Sequence, residues 1–146
     1  MELGPHVVAA REAALRSALL ARGLRATHQR LQIVAALARA DDHPNAEDVF
    51  ERVSRRIPTL SRDTVYRTLD VLAAHGPVRR IAMPRATRFD PELNPHHHFI
   101  CDHCGRLVDI GAEMVKSPKV PEVLAGIGDV RSVSLEIHGI CHSCRS

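Results

Sequence analysis

Aromatic side chains are scarce in this chain. They make up 3% of its 146 residues, with no Trp, one tyrosine (Tyr66) and three phenylalanines (Phe50, Phe89 and Phe99). A core must therefore be mainly aliphatic, and a hydrophobic content of 45% is sufficient for one. No stretch approaches the roughly 18 consecutive apolar residues of a membrane helix, so no membrane partner is expected. The opening "MELGPHVVAAREAALRS" lacks a basic segment leading into an apolar one. It does not read as a secretory signal, and the expected compartment is the cytosol. Low-complexity segments are missing, and so are internal repeats beyond two Cys-x-x-Cys units. Lysine is missing from the first 85 residues, where all 14 strong bases are Arg.

Charge and metal-ligand chemistry divide along the chain. Residues 1–85 carry 14 Arg against 9 acidic residues, whereas residues 86–146 carry 6 Arg and Lys against 8. Arginine's planar fork suits phosphate and guanine, so the first part reads as a surface for nucleic acid as well as for water. All four cysteines and six of the ten histidines fall in the second part. In a reducing cytosol, such cysteines point to metal or redox chemistry before structural disulfides.

Periodicity predicts four helices in the first part. The first spans 6–22 and ends at Gly23. The second is capped by Thr27 and carries Leu31, Val34 and Leu37. The third is capped by Asn45, carries Glu47 and Asp48 in its first turn, buries Ala46, Val49, Phe50, Val53 and Ile57, and ends at Pro58. The fourth spans 62–75 after the Ser61 cap, buries Val65, Leu69 and Leu72, and stops at "HGP". "VRRIAM", a turn at Pro84-Arg85 and "ATRFD" then read as a β-hairpin. Helices followed by such a hairpin make a winged helix-turn-helix. The fourth helix, roughly 20 Å long, fits a major groove and offers Arg62, Thr64, Tyr66 and Arg67 to bases and phosphates. "LNP" at 93–95 reads as the boundary between domains 1–92 and 93–146. Beyond it, strands over "HHHFIC" and "RLVDIG", a helix over about 112–126 and a strand over "VRSVSLEIHG" predict a small α/β domain. The fold class expected is α+β.

Cys101-Asp-His-Cys104 and Cys141-His-Ser-Cys144 are matching hooks. Zn²⁺ takes four tetrahedral soft ligands, and two such turns supply four thiolates. A thioredoxin-like Cys-pair oxidoreductase competes, but neither pair opens a helix after a buried strand. A zinc deaminase is disfavoured because Ile100, not Pro, precedes Cys101. His96 and His98 lie two apart on a strand and share a face, with His97 opposite. Together with Asp109, Asp90 and His43 they suggest a mixed nitrogen and oxygen site suited to Fe²⁺ or Mn²⁺. His6, His28, His75, His97, His103 and His142 read as surface residues, and His138 is undecided.

The motifs "GLRATHQR", "HPNAEDVFERV", "SRDTVYRTLDVL", "TRFD", "HHHFICDHCGRLVDI" and "EIHGICHSC" run in one order over nearly the whole chain. In that order the chain resembles the Fur family of metal-dependent repressors. The resemblance implies a winged helix followed by an α/β dimerisation domain, in a homodimer that binds inverted-repeat operators in double-stranded DNA when metal-loaded. It implies structural zinc on Cys101, Cys104, Cys141 and Cys144. It implies a regulatory Fe²⁺ or Mn²⁺ site of His43, Asp90, His96, His98 and Asp109. Tyr66 and Arg67 would meet the major groove and Arg25 the minor groove. Asp at 90 and 109, where iron-uptake regulators usually carry Glu, is similar to the PerR-type peroxide sensors. In those, Fe²⁺-dependent oxidation of a ligand histidine (here His43 or His96) releases DNA. Val133 and Pro95 stand where a further metal site of the iron regulators usually has ligands. An iron- or zinc-uptake regulator is the alternative within the family.

Overall fold

A computed structural model describes residues 3–116 and 118–146, except the His75 side chain. The expectation that His75 lies on the surface therefore falls outside the described residues. The chain divides into two compact units, Met1–Leu93 and Asn94–Ser146.

The first unit is four helices and a hairpin: α1 Pro5–Ala21, α2 His28–Ala38, α3 Ala46–Ser54, α4 Arg62–His75, β1 Arg79–Ile81 and β2 Arg88–Asp90. Local chemistry sets the helix starts. Pro5 occupies the first turn of α1, where its missing N–H costs nothing. Thr27 and Ser61 accept from the Arg30 and Thr64 amides. Asn45 and Asp48 form a reciprocal capping box, each side chain accepting the other's amide at 2.9 Å. The core is almost entirely aliphatic, with Leu15, Leu19, Ile33, Leu37, Val49, Val65, Leu69 and Leu72 sealed from solvent and Phe89 added from the hairpin. Gly76 closes α4: a Cβ there would lie 2.4 Å from the Leu72 carbonyl oxygen.

The wing is tied to the loop before α3. Beyond the β1–β2 pairing, Arg88 bridges to Asn45, and the Phe89 amide donates to the Pro44 carbonyl at 2.9 Å. This seam places the 42–45 loop beside the end of β2.

The second unit is a three-stranded sheet. β3 His96–Cys101 lies between antiparallel β4 Leu107–Gly111 and parallel β5 Glu136–Gly139. Among the described residues, the helix expected over 112–126 does not form. In its place are two short 3₁₀ turns, η1 Ala112–Met114 and η2 Glu122–Gly126. Pro118 and Pro121 explain this, since each lacks the N–H an α-helix needs and clashes with the preceding turn. The strand expected from 130 shortens to 136–139. A one-turn helix, α5 His142–Arg145, ends the chain and was not foreseen. Few apolar side chains are sealed here: Ile100, Cys101 and Cys141 are buried together with His96, His97 and His98. A unit this small with so little aliphatic core is the kind that needs a staple.

Candidate metal centres and nucleic-acid interface

The two hooks meet in the second unit. Cys101 ends β3, and its amide donates to the Arg106 carbonyl at 2.8 Å. The chain reverses through Gly105, whose φ of 72° suits a residue without a Cβ. The second hook is built differently, with Cys141 capping α5 and Cys144 within it. The Asp102 amide donates to the Gly139 carbonyl at 2.8 Å, which carries the β3–β5 pairing up to the hooks. The four sulfurs lie within 4.8 Å of one another, and Cys104 Sγ is 3.8 Å from Cys141 Sγ. Four thiolates around zinc at about 2.3 Å stand about 3.8 Å apart, so the donor set and its spacing fit that ion. Amide hydrogen bonds, first those of Cys104 and Cys141, hold the Cys101 thiol down to about 6. Its neighbours Cys141 and Cys104 push Cys144 up to about 12, as expected where one negative charge is already settled among four sulfurs.

The second cluster shares the same strand. His98 is paired with Asp109 across β3–β4, and His96 lies two residues away on the same face. His96 Nε2 is 2.9 Å from His98 Nε2, and Asp109 Oδ1 is 3.3 Å from His98 Nε2 and 3.6 Å from His96 Nε2. Both rings are buried. His96 Nδ1 donates to the Asn94 carbonyl at 2.8 Å, which leaves the Nε2 lone pair facing the cluster. Two imidazole nitrogens and a carboxylate oxygen at these separations fit a divalent ion with bonds of about 2.1 Å.

In the first unit the wing seam brings His43 to Asp90, with Nε2 4.0 Å from Oδ1, and both residues are buried. His43 is the one non-glycine residue with positive φ (50°) among the described residues. Its carbonyl accepts from Arg88 Nη1 at 3.2 Å, and the Glu92 amide donates to Asp90 Oδ1 at 2.9 Å. A left-handed residue held on both sides is backbone strain at a place where a side chain must be aimed.

The predicted DNA-facing residues divide by how they are held. Tyr66 and Arg67 are exposed on α4, and Arg67 pairs with Asp63 one turn back, at 3.0 Å. Arg25 is exposed before α2. Thr64 is engaged in the Ser61 cap. Arg62 is drawn back onto α3, its Nε 3.1 Å from both Glu47 carboxylate oxygens and its guanidinium 4.3 Å over the Phe50 ring. That contact braces α3 against α4.

Sequence reasoning misplaced or missed several residues. His97, expected at the surface, is 3% exposed, and its Nδ1 accepts the Leu135 amide at 3.2 Å. His6, His28, His103 and His142 are exposed as expected. His138 hydrogen-bonds Asp102 at 2.8 Å, and this raises its pKa, with Glu136 adding a smaller pull. Arg11 is buried, four residues before Leu15 on the inner face of α1. Its spacing with Leu15 and Leu19 was the available signal, and its charge concealed it.

A winged helix followed by a sheet that carries one thiolate cluster and one histidine–carboxylate cluster defines a class of metal-binding winged-helix proteins. The model of the ferric uptake regulator family matches residues 21–144, and the chain belongs to that family. It is accordingly a transcriptional regulator of a DNA-binding family, not an enzyme, and the oxidoreductase reading falls away. It is similar to the peroxide operon regulator of Bacillus subtilis (strain 168), with 33% identity over 125 residues, 84% of this chain and 85% of that one. In structure it is similar to the Helicobacter pylori ferric uptake regulator Fur, with a TM-score of 0.72 and 20% identity over 100% of this chain and 97% of that one. A zinc uptake regulator solved with zinc and DNA matches with a TM-score of 0.59 and 24% identity over 94% and 95% of the two chains. At these identities the two structures establish the fold.

Proposed function

We propose that the protein is a cytoplasmic, metal-dependent repressor that senses peroxide. Zinc on Cys101, Cys104, Cys141 and Cys144 staples the second unit. Fe²⁺ or Mn²⁺ is held by His96, His98 and Asp109 of the second unit and by His43 and Asp90 of the first. The observation that carries this reading is the convergence of the His96 and His98 Nε2 atoms with Asp109, three residues along one strand from a thiolate cluster of different chemistry. Ligands from both units would select one orientation of the winged helix, and the metal-loaded population would be the one that binds operator. A second copy is the fitting partner. Met114, Val123 and Ile127 are 70–76% exposed in the second unit, apolar surface that a second copy would cover. Two copies related by a two-fold axis would read an inverted repeat, with Tyr66 and Arg67 toward the major groove, Arg25 toward the minor groove, and Arg62 and Thr64 supporting the helix start.

Fe²⁺ held by these residues would supply activation of hydrogen peroxide, and the two electrons that reduce the peroxide would come from a ring C–H of a ligand histidine. One peroxide oxygen would end on a ring carbon of His43 or His96, and the other would leave as water. A ring so altered is a poorer ligand, and the two half-sites would part. The test is mass spectrometry of the Fe²⁺-loaded protein after peroxide, alongside operator binding with and without metal. One added oxygen atom on His43 or His96, with weakened operator binding, is the expected result. Unmodified histidines would overturn peroxide sensing in favour of metal-uptake regulation, and equal operator affinity with and without metal would overturn metal dependence.

A further inference from the structure

Arg11 has no part in the function proposed above, yet it is 4% exposed inside an aliphatic helix bundle. Its Nη1 donates to the Ala40 carbonyl at 2.9 Å and, more weakly, to that of Ala38 at 3.4 Å. Its Nη2 meets the Glu92 carboxylate at 2.7 Å. Its Nε is buried without a hydrogen-bond partner. Burying a guanidinium with one donor unsatisfied is a poor way to gain stability, since a hydrophobic replacement for a buried ion pair is often neutral or better.

What Arg11 touches gives it a different role. Ala40 lies three residues before His43, at the root of the loop that aims it. Glu92 lies two residues after Asp90, and its amide donates to Asp90 Oδ1 at 2.9 Å. One side chain from α1 thus holds the roots of both segments that present His43 and Asp90.

We propose that Arg11 is a positioning residue for the regulatory metal, fixing the first unit's two ligands by bracing Ala40 and Glu92 together. This rests on reading His43 and Asp90 as ligands. Supporting residues one step behind a metal site typically alter affinity by about 10- to 100-fold. Keeping the ion pair but moving its fork should be felt at the site, because a lysine cannot serve the Ala40 carbonyl and Glu92 with one geometry.

The experiment measures Mn²⁺ affinity, zinc content and thermal midpoint of the full-length, zinc-containing protein. The variants are Arg11→Lys, Arg11→Met, Glu92→Gln, the Arg11→Met/Glu92→Gln double, His98→Ala, and Val53→Ala as a core control. We expect Glu92→Gln and both Arg11 variants to weaken Mn²⁺ Kd by about 10-fold with zinc retained. The double variant should be no weaker than the worse single, because both break one brace. Val53→Ala should lower the midpoint and leave Mn²⁺ affinity alone. If His98→Ala abolishes Mn²⁺ binding while Glu92→Gln and Arg11→Lys bind like wild type, the brace is wrong and the site stands. If affinity follows the midpoint in every variant, Val53→Ala included, Arg11 is structural only and the proposal fails. If wild type and His98→Ala bind Mn²⁺ alike, the site reading itself fails.

Discussion

Cys101 shows how much a single residue can be asked to do: it ends the central strand, accepts the Cys141 amide at 3.3 Å, and joins the two hooks. Replacing Cys104 or Cys144 with serine should release zinc, measurable by metal analysis, and remove the hydrogen-exchange protection of the β3 amides in the second unit. The aliphatic first unit should persist. His138 offers a gentler test at the same scale. Its bond to Asp102 raises its pKa above the ordinary 6.5, so the contribution is fully present below that value and fades as pH rises through the raised one. The thermal midpoint of His138→Gln should therefore trail wild type most in mild acid and converge with it in alkaline buffer. A constant gap at all pH values would assign His138 a packing role. The cysteine pairs were legible because their spacing is itself geometry. Arg11 and His97 were not, because a polar side chain announces water unless its partners, here the Glu92 carboxylate and the Leu135 amide, are known from elsewhere in the chain.

Among the elements, α4 carries the clearest wager. Tyr66→Ala and Arg67→Ala should each weaken operator binding by about 1–3 kcal/mol with the fold intact, as read by electrophoretic or fluorescence titration. Glu47→Gln should act less directly, loosening Arg62 from α3 and changing affinity through the angle between α3 and α4. Gly76→Ala should lower the unfolding midpoint, costing about 1–3 kcal/mol, since the new Cβ meets the Leu72 carbonyl and the Ala18 Cβ. The four helices and the hairpin were legible because Thr27, Asn45, Ser61 and the apolar stripes are local signals, each borne by the residues that form the element. The segment after β4 was not. Its apolar residues suggested a helix, while Pro118 and Pro121 forbade one, and backbone geometry outweighed side-chain pattern. The wing seam through Pro44, Asn45 and Arg88 was invisible for another reason: it pairs residues more than 40 positions apart.

For the molecule as a whole, charge is the controlling asymmetry. An arginine-rich first part ahead of a slightly acidic second part should make operator binding steeply salt-dependent, falling linearly on logarithmic axes as counterions return to the phosphates. Arg67→Ala should flatten that slope by about one, whereas Arg11→Lys, which keeps its charge away from the surface, should leave it unchanged. The cluster of His96, His98 and Asp109 was legible in outline from His-x-His and a carboxylate on the neighbouring strand. The pairing of His98 with Asp109 required the β3–β4 register, which no single segment encodes.

That register has a consequence for how the chain assembles. Three consecutive histidines make β3 ambiguous by one step: slide it, and His97 would stand in a ligand place. Such a slip would also turn Cys101 to the opposite side of the sheet and break the thiolate cluster. Occupation of the four-sulfur site would therefore act as a proofreader for the strand, admitting one alignment out of two before any sensing ion arrives. Protein refolded without zinc should then hold Mn²⁺ poorly, and adding zinc afterwards should restore Mn²⁺ binding only as fast as β3 can pair in the one alignment that gathers the four sulfurs.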